Sequence, residues 1–219
     1  MKVSLTFDNG PTTEVTPHVL EVLARRGIAA TFFTLGRNLV VPEQRKLTER
    51  ARAEGHRIGN HSYNHATPFG ELANPADAEL EILATDALLG DLVGEERLFR
   101  PFGRAELGRH LLNPRAWNLL AARGFTCVLW TTVAYENRRP DSWMEPVALA
   151  CEERDWSVVV LHDIPTGAMR NLDRFLDLLA ERGAEFSQDF PAGCTPLRRG
   201  IELGSHAHLM QPAASLGAG

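Results

Sequence analysis

The chain has 219 residues, of which 44% are hydrophobic and 23% are charged, and these values are typical of an ordinary globular domain. Its formal net charge of −5 argues against a protein that mainly binds nucleic acid, and no apolar run approaches the ~20 residues of a membrane span. The three cysteines, Cys127, Cys151 and Cys194, are widely spaced, so neither a disulfide framework nor a zinc ribbon is indicated.

Short apolar segments alternate with longer amphipathic segments along the chain. The apolar segments predict seven strands, at Val3–Phe7, Ala29–Leu35, Arg57–Asn60, Leu98–Pro101, Thr126–Thr131, Ser157–Leu161 and Ala184–Ser187. Helices are predicted between them, at Pro17–Arg26, Glu43–Glu54, Ala76–Leu92, Pro114–Arg123, Ser142–Glu153 and Asn171–Arg182.

This alternation predicts an α/β domain with right-handed βαβ units and a parallel sheet, which is either open and doubly wound or closed as a small barrel. No Gly-x-Gly-x-x-Gly segment follows the first strand and no P-loop is present, which argues against a nucleotide-binding fold. No repeat or linker divides the chain. We therefore expect one domain over residues 1–205 and a flexible tail, rich in Ala, Gly and Ser, over residues 206–219.

Polar side chains with catalytic potential follow or end four of the predicted strands. Asp8 and Asn9 come directly after the first strand, His61 follows the third, Arg100 lies in the fourth, and His162 ends the sixth. Because the carboxyl ends of parallel strands meet at one rim, where active sites form, we expect these residues to surround a single cavity.

His61 and His65 are four residues apart. On one helical turn both imidazoles would point the same way and could share a metal ion, as in other His-x-x-x-His sites. The spacing alone is equally compatible with two surface histidines. The Asp8-Asn9 segment offers a third ligand, which favours the metal site.

Five short segments together resemble the motifs of the polysaccharide deacetylases, the NodB-homology domain. Residues 6–11, Thr-Phe-Asp-Asn-Gly-Pro, resemble the first motif, Thr-Phe-Asp-Asp-Gly-Pro. The other four, in the order of the family, are His61-Ser62-x-x-His65, Arg100-Pro101-Phe102-Gly103, a faint match at Asp141-Ser142-Trp143, and Leu161-His162-Asp163. The resemblance spans nearly the whole fold and implies a distorted (β/α)7 TIM-like barrel that removes acetyl groups from sugars with the help of a metal.

Carried over by position, the resemblance implies that Asp8 is the general base and that Arg100 holds it in place. His162 matches the general acid, and Asp141 matches the carboxylate that raises the pKa of this histidine. Amide hydrolysis needs both functions, and each proton transfer contributes typically 10²–10⁴-fold to the rate. Asp141 is also placed to be the N-cap of the predicted helix Ser142–Glu153, and it could fill both roles at once.

The resemblance also implies that Asn9, His61 and His65 hold a divalent metal ion, zinc first, with cobalt, manganese or nickel as alternatives. Asn9 departs from the pattern, because most of the family has a metal-binding Asp there. An Asn can bind through its side-chain oxygen but brings no charge, so the affinity should fall while the ion becomes a stronger Lewis acid. A natural variant and an engineered substitution are both compatible with this sequence.

For the substrate, the resemblance implies that Leu161 and Trp143 line a pocket for the acetyl methyl group and that the backbone N–H of Phe102 stabilises the oxyanion. Residues 131–140 are expected to form a rim loop that sets the substrate.

The predicted function is metal-dependent deacetylation of a carbohydrate, with N-acetyl favoured over O-acetyl groups and an acetylated sugar or small amide as substrate. Two alternatives remain open, a metal-independent amidase or imide hydrolase and a sugar-binding homologue impaired at Asn9. The sequence starts without a recognisable signal segment, so a cytoplasmic protein that binds neither nucleic acid nor membrane is expected.

Overall fold

A curved, mainly parallel sheet forms the centre of the chain in the computed structural model, which describes residues 1–211. Its strands are β1 (Lys2–Asp8), β2 (Thr31–Thr34), β3 (Arg57–Asn60), β4 (Leu98–Phe99), β5 (Thr126–Cys127), β6 (Thr132–Val133), β7 (Trp156–His162), β8 (Glu185–Phe186), β9 (Leu197–Arg198) and β10 (Ile201–Glu202). The helices around it are α1 (Thr16–Arg26), α2 (Gly36–Leu39), α3 (Pro42–Ala53), α4 (Asp77–Leu89), α5 (Pro114–Ala122), α6 (Met144–Glu152) and α7 (Leu172–Glu181).

The sheet curls back on itself through the segment that carries β5 and β6. Parallel pairing runs from β7 through β1, β2, β3 and β4 to β5. After β5, the chain turns away from β4 and continues as β6, which pairs in parallel with β7. The fold class predicted from the sequence, an α/β barrel of the (β/α)7 type, is therefore confirmed.

Alternation along the two longest strands separates an outer apolar core from the polar interior. Leu5 and Phe7 of β1 and Leu161 of β7 are buried in a core shared with residues of α1 and α7. The side chains at the alternate positions, including Asp8 and His162 at the ends of these strands, point to the other face. Because successive strand residues face opposite sides, the burial of the apolar set fixes which polar groups face the barrel interior.

Some predicted boundaries are wrong. The strand predicted at Thr126–Thr131 is limited to β5 at Thr126–Cys127, and β6 begins just after the predicted range. Helix α4 ends at Leu89 rather than Leu92 because Gly90 takes a positive φ. Helix α2 and the β9–β10 hairpin were not predicted. No helix among residues 1–211 is long and apolar enough to cross a membrane.

The packed part of the chain extends beyond residue 205, where a flexible tail was expected to begin. His206 stacks on Trp117 with ring centres 4.1 Å apart. Leu209 is buried, and the N–H of Leu112 donates to its carbonyl oxygen at 3.1 Å. Residues 212–219 of the expected tail lie outside the described residues.

Candidate active site

A cavity of about 320 Å³ opens at the carboxyl ends of the parallel strands. Asp8 and His162 are register partners at the ends of β1 and β7. His61 directly follows β3, and His61 and His65 line the same cavity. The structure thus brings these four sequence-predicted residues together at one rim, as the parallel topology requires.

A buried arginine fixes the Asp8 carboxylate. The side chain of Arg100 is fully buried, and its Nη1 donates to Asp8 Oδ1 at 2.8 Å and to Thr6 Oγ1 at 2.6 Å. Its Nε and Nη2 donate to the carbonyl oxygens of Val128 and Leu129, both at 3.3 Å. A buried ion pair is stable only when its remaining groups are hydrogen-bonded, and these contacts meet that condition.

His61 presents a free nitrogen lone pair to the cavity. Its Nδ1 lies 2.8 Å from the carbonyl oxygen of Arg100, and because a carbonyl can only accept, Nδ1 carries the proton. Nε2 is then unprotonated, 3.6 Å from Asp8 Oδ2. Burial lowers the pKa of His61 and of His65 to about 3 each, so both rings are neutral at physiological pH. Neutral imidazole is the form that binds metals.

The segment His61–His65 is a loop, so the prediction that the two histidines lie on one helical turn is wrong. Ser62 and His65 have left-handed backbone conformations, with φ of 69° and 54°. Glu81 holds the loop by accepting from the backbone N–H of residues 63 and 64 at 2.9 and 2.7 Å. This turn, rather than helical periodicity, brings the two rings to within 4.7 Å of each other, centre to centre.

Asn9 supplies an unsatisfied oxygen beside the two histidines. Its backbone is left-handed, with φ of 72°, a conformation that Asn tolerates better than most residues. Its Oδ1 is buried and has no hydrogen-bond partner among the described residues, which costs about 1–3 kcal/mol unless a ligand compensates. An orphaned amide oxygen and two neutral imidazoles around one cavity fit a divalent cation. Within residues 1–211 no three His, Cys, Asp or Glu side chains are grouped to hold a metal, so this site depends on Asn9.

His162 is paired with Glu136, which the sequence analysis placed only in a rim loop. The Nδ1–H of His162 donates to Glu136 Oε1 at 2.7 Å, and Glu136 is fully buried. Burial alone would lower the pKa of His162, but the hydrogen bond and the charge of Glu136 outweigh burial and raise it above its ordinary value. The sequence signal that could have identified Glu136 is an acidic residue three residues beyond β6, within the segment that was expected to form a rim loop.

Asp141 does not occupy the position implied by the resemblance. Its side chain is 74% exposed and pairs with Arg170, in a surface groove outside the cavity. It does not cap α6 either, because that helix begins at Met144 without a side-chain cap. The reason is the turn before it. Tyr135 has a left-handed backbone, with φ of 51°, and Glu136 next to it is directed inward, so the carboxylate is supplied five residues earlier in the chain.

The predicted acetyl pocket is also lined differently. Leu161 faces the helices and Trp143 packs on Phe175 in the outer core, with ring centres 4.6 Å apart, so neither reaches the cavity. Alternation along β7 explains the error, because Val160, one residue earlier, faces the cavity instead. Phe102 does line the cavity, with its ring 3.8 Å from that of His65, centre to centre.

Comparison with known proteins identifies the family to which the chain belongs. The family model described as polysaccharide deacetylase matches residues 1–128. A peptidoglycan-N-acetylglucosamine deacetylase from Bacillus cereus is 32% identical over 192 residues, which are 84% of this chain and 66% of that protein. A chitooligosaccharide deacetylase from Bradyrhizobium is 31% identical, over 77% of this chain and 74% of that protein. The chain spans only 37% of a third relative, the peptidoglycan-N-acetylglucosamine deacetylase PgdA of Listeria monocytogenes, which is 28% identical over 84% of this chain.

Solved structures agree with this assignment. The family 4 carbohydrate esterase from Streptomyces lividans, in complex with acetate, is 26% identical and superposes with a TM-score of 0.70, covering 89% of this chain and 95% of that chain. A family 4 acetyl xylan esterase from Clostridium thermocellum, in complex with a cobalt ion, is 28% identical with a TM-score of 0.68, covering 85% of this chain and 87% of that chain.

Proposed function

Because the chain belongs to the polysaccharide deacetylase family, we propose that it is a metal-dependent hydrolase that removes acetyl groups, N-acetyl rather than O-acetyl, from a carbohydrate. The observation that carries this proposal is the adjacency of two polar groups, each of which is held by its own charged partner. Asp8 is fixed by Arg100, and His162, its register partner, is paired with Glu136. A protein that only binds sugars has no use for a matched base and acid.

The metal ligands in this proposal are Asn9, His61 and His65. Their two neutral rings and one unpartnered amide oxygen support an ion of the zinc type, and the Clostridium thermocellum relative contains cobalt. When bound, such an ion would polarise the acetyl carbonyl and lower the pKa of a water molecule from 15.7 towards ~7.

Asp8 would act as the base. Its Oδ1 is occupied by Arg100, whereas Oδ2 lies 3.6 Å from His61 Nε2 beside the ligand side chains. The oxygen that faces the cavity can therefore accept the proton of the attacking water, while the arginine keeps the carboxylate from rotating. Orientation of this kind places base and nucleophile within hydrogen-bonding reach before the reaction begins.

His162 would act as the acid. The bond from Nδ1–H to Glu136 leaves Nε2 as the nitrogen that can hold the transferable proton. When the C–N bond of the acetamide breaks, this proton passes to the departing nitrogen and yields a free amine and acetate. The raised pKa of His162 keeps the ring protonated at a higher pH than an ordinary histidine.

Acetate release from N-acetylglucosamine oligosaccharides, measured on protein of known metal content, tests the proposal. We expect turnover that is lost on chelation and restored by zinc or cobalt. His65→Ala should abolish it, whereas His18→Ala, at an exposed histidine outside the cavity, should not. Turnover that survives complete removal of metal would indicate a metal-independent amidase, and binding without turnover would indicate a sugar-binding homologue.

A further inference from the structure

One cationic side chain on the cavity wall has no partner. Arg138 lines the cavity together with Tyr135, and its guanidinium carbon lies 5.5 Å from the centre of the tyrosine ring. No carboxylate within residues 1–211 forms an ion pair with it, and none of its side-chain nitrogens makes a hydrogen bond there. The other arginine of the wall, Arg104, is neutralised by Glu71 through two hydrogen bonds of 2.9 and 2.6 Å.

The position of Arg138 is linked to that of the candidate general acid. The backbone N–H groups of Arg138 and Arg139 both donate to the carbonyl oxygen of Tyr135, at 2.9 and 3.1 Å, and close a tight turn. Glu136, inside that turn, is buried and bonded to His162. Glu136 therefore anchors the turn in the barrel wall, and the exposed side chain of Arg138 extends from this turn at the edge of the cavity.

The positive charge of Arg138 is opposite in sign to the formal net charge of the whole chain, which is −5. Among residues 1–211, Asp8 is the only carboxylate that lines the cavity, and Arg100 already compensates it. A ligand that enters therefore meets an uncompensated guanidinium, which favours negative charge and suits the planar oxygens of a carboxylate or phosphate.

We propose that the substrate is an acetylated sugar carrying an anionic group, a carboxylate or a phosphate, and that Arg138 recognises this group. The inference rests on the proposed function, since it names the class of sugar that the same cavity accepts. The cavity volume of about 320 Å³ lies at the lower end of the ~300–1,000 Å³ typical of ligand pockets, so a sugar seated against His162 is also close to the wall that carries Arg138.

Binding of three matched monosaccharides tests the inference independently of turnover. N-Acetylglucosamine is the neutral reference, N-acetylmuramic acid adds a carboxylate, and N-acetylglucosamine 6-phosphate adds a phosphate. We expect NMR titration at low salt to show at least one anionic sugar binding at least about threefold more tightly than the neutral one, because a contact with an exposed guanidinium is partly screened by solvent. The sugar with the larger preference identifies the anion. Salt should weaken the preference.

Arg138→Gln should remove most of this preference and Arg138→Lys should retain part of it. Arg139→Gln is the matched control, because Arg139 is exposed like Arg138 and lies in the same turn, but it does not line the cavity. Both glutamine variants keep the proposed metal ligands, so direct binding of the anion to a metal would respond to neither.

Equal or unmeasurable binding of the three sugars by the wild-type protein overturns the inference, as does an equal effect of the two glutamine variants. Acetate release from neutral oligosaccharides by the same preparation distinguishes this failure from a failure of the proposed function.

Discussion

Replacing Glu136 with Gln isolates the effect of one buried negative charge on the candidate acid. The carboxylate accepts the Nδ1–H of His162 through Oε1 at 2.7 Å, and its other oxygen is buried without a hydrogen-bond partner among the described residues. Gln has nearly the same shape and can keep the same acceptor in place. The substitution therefore removes the charge while leaving the packing and the orientation of the imidazole close to those of the wild type.

The magnitude follows from the type of hydrogen bond. A bond to a charged group contributes ~1.5–3 kcal/mol and a neutral one ~0.5–1.5 kcal/mol, so the loss is about 1–1.5 kcal/mol, or roughly tenfold in kcat/KM. This is less than the ~10²–10⁴-fold expected when a general acid is lost altogether, as in His162→Ala.

The direction in which the pH profile of activity should shift follows from the effect of Glu136 on the pKa of His162. Glu136 raises the pKa of His162 against the opposing effect of burial, so its removal lets burial lower that pKa. The acid must be protonated to act, and activity is lost as the pH rises through this pKa. The alkaline limb of the profile of kcat/KM against pH should therefore move to lower pH in Glu136→Gln.

The assay is acetate release across the pH range, with Asp141→Asn as the control because Asp141 is exposed and pairs with Arg170. The control should have the wild-type profile. An unchanged alkaline limb in Glu136→Gln, or a displaced one in Asp141→Asn, would refute the assignment of the carboxylate partner.

Three further predictions concern metal affinity and stability. Asn9→Asp should raise zinc affinity about tenfold or more in a chelator competition, because it adds charge to a neutral ligand set, and an unchanged affinity would exclude Asn9 as a ligand. Asp8→Ala should lower the free energy of unfolding in urea by about 3–5 kcal/mol by leaving buried Arg100 uncompensated, with a smaller loss for Asp8→Asn; a wild-type midpoint in Asp8→Ala would contradict this. Burial lowers the pKa of His56, so the free energy of unfolding of the metal-free protein should fall by up to ~1.4 kcal/mol per pH unit as the pH drops below about 6.5. In His56→Asn the free energy of unfolding should depend less steeply on pH, and an unchanged dependence would contradict the prediction.

The alternation of strands and helices and the residues at the rim could be predicted because they depend on local patterns, whereas closure into a barrel was implied only by the family resemblance. A strand buried on both faces is a short apolar run, and the residue after it must lie at the rim, which is why Asp8 and His162 were found without knowledge of their neighbours. The prediction of the residues that line the acetyl pocket was wrong for a related reason. The motif includes Leu161, but only the alternation of side chains along β7 shows that Val160 faces the cavity.

Loop geometry could not be predicted in the same way. His61 and His65 were placed side by side correctly but for the wrong reason, since two left-handed residues and Glu81, not a helical turn, bring the rings together. A positive φ at Ser62 or at His65 leaves no periodic signal, because it depends on contacts formed only when distant segments meet.

Glu136 shows how the chemistry of a site constrains a sequence less tightly than a motif suggests. In the proposed role of His162 as general acid, a negative charge at hydrogen-bonding distance from Nδ1 raises the pKa of the ring, and any backbone path that delivers such a charge serves the purpose. Here the path is the turn at Tyr135, whose left-handed backbone directs the next side chain into the barrel wall. The faint match at Asp141 was therefore wrong in position, and the carboxylate that raises the pKa of His162 comes instead from the loop that also carries Arg138.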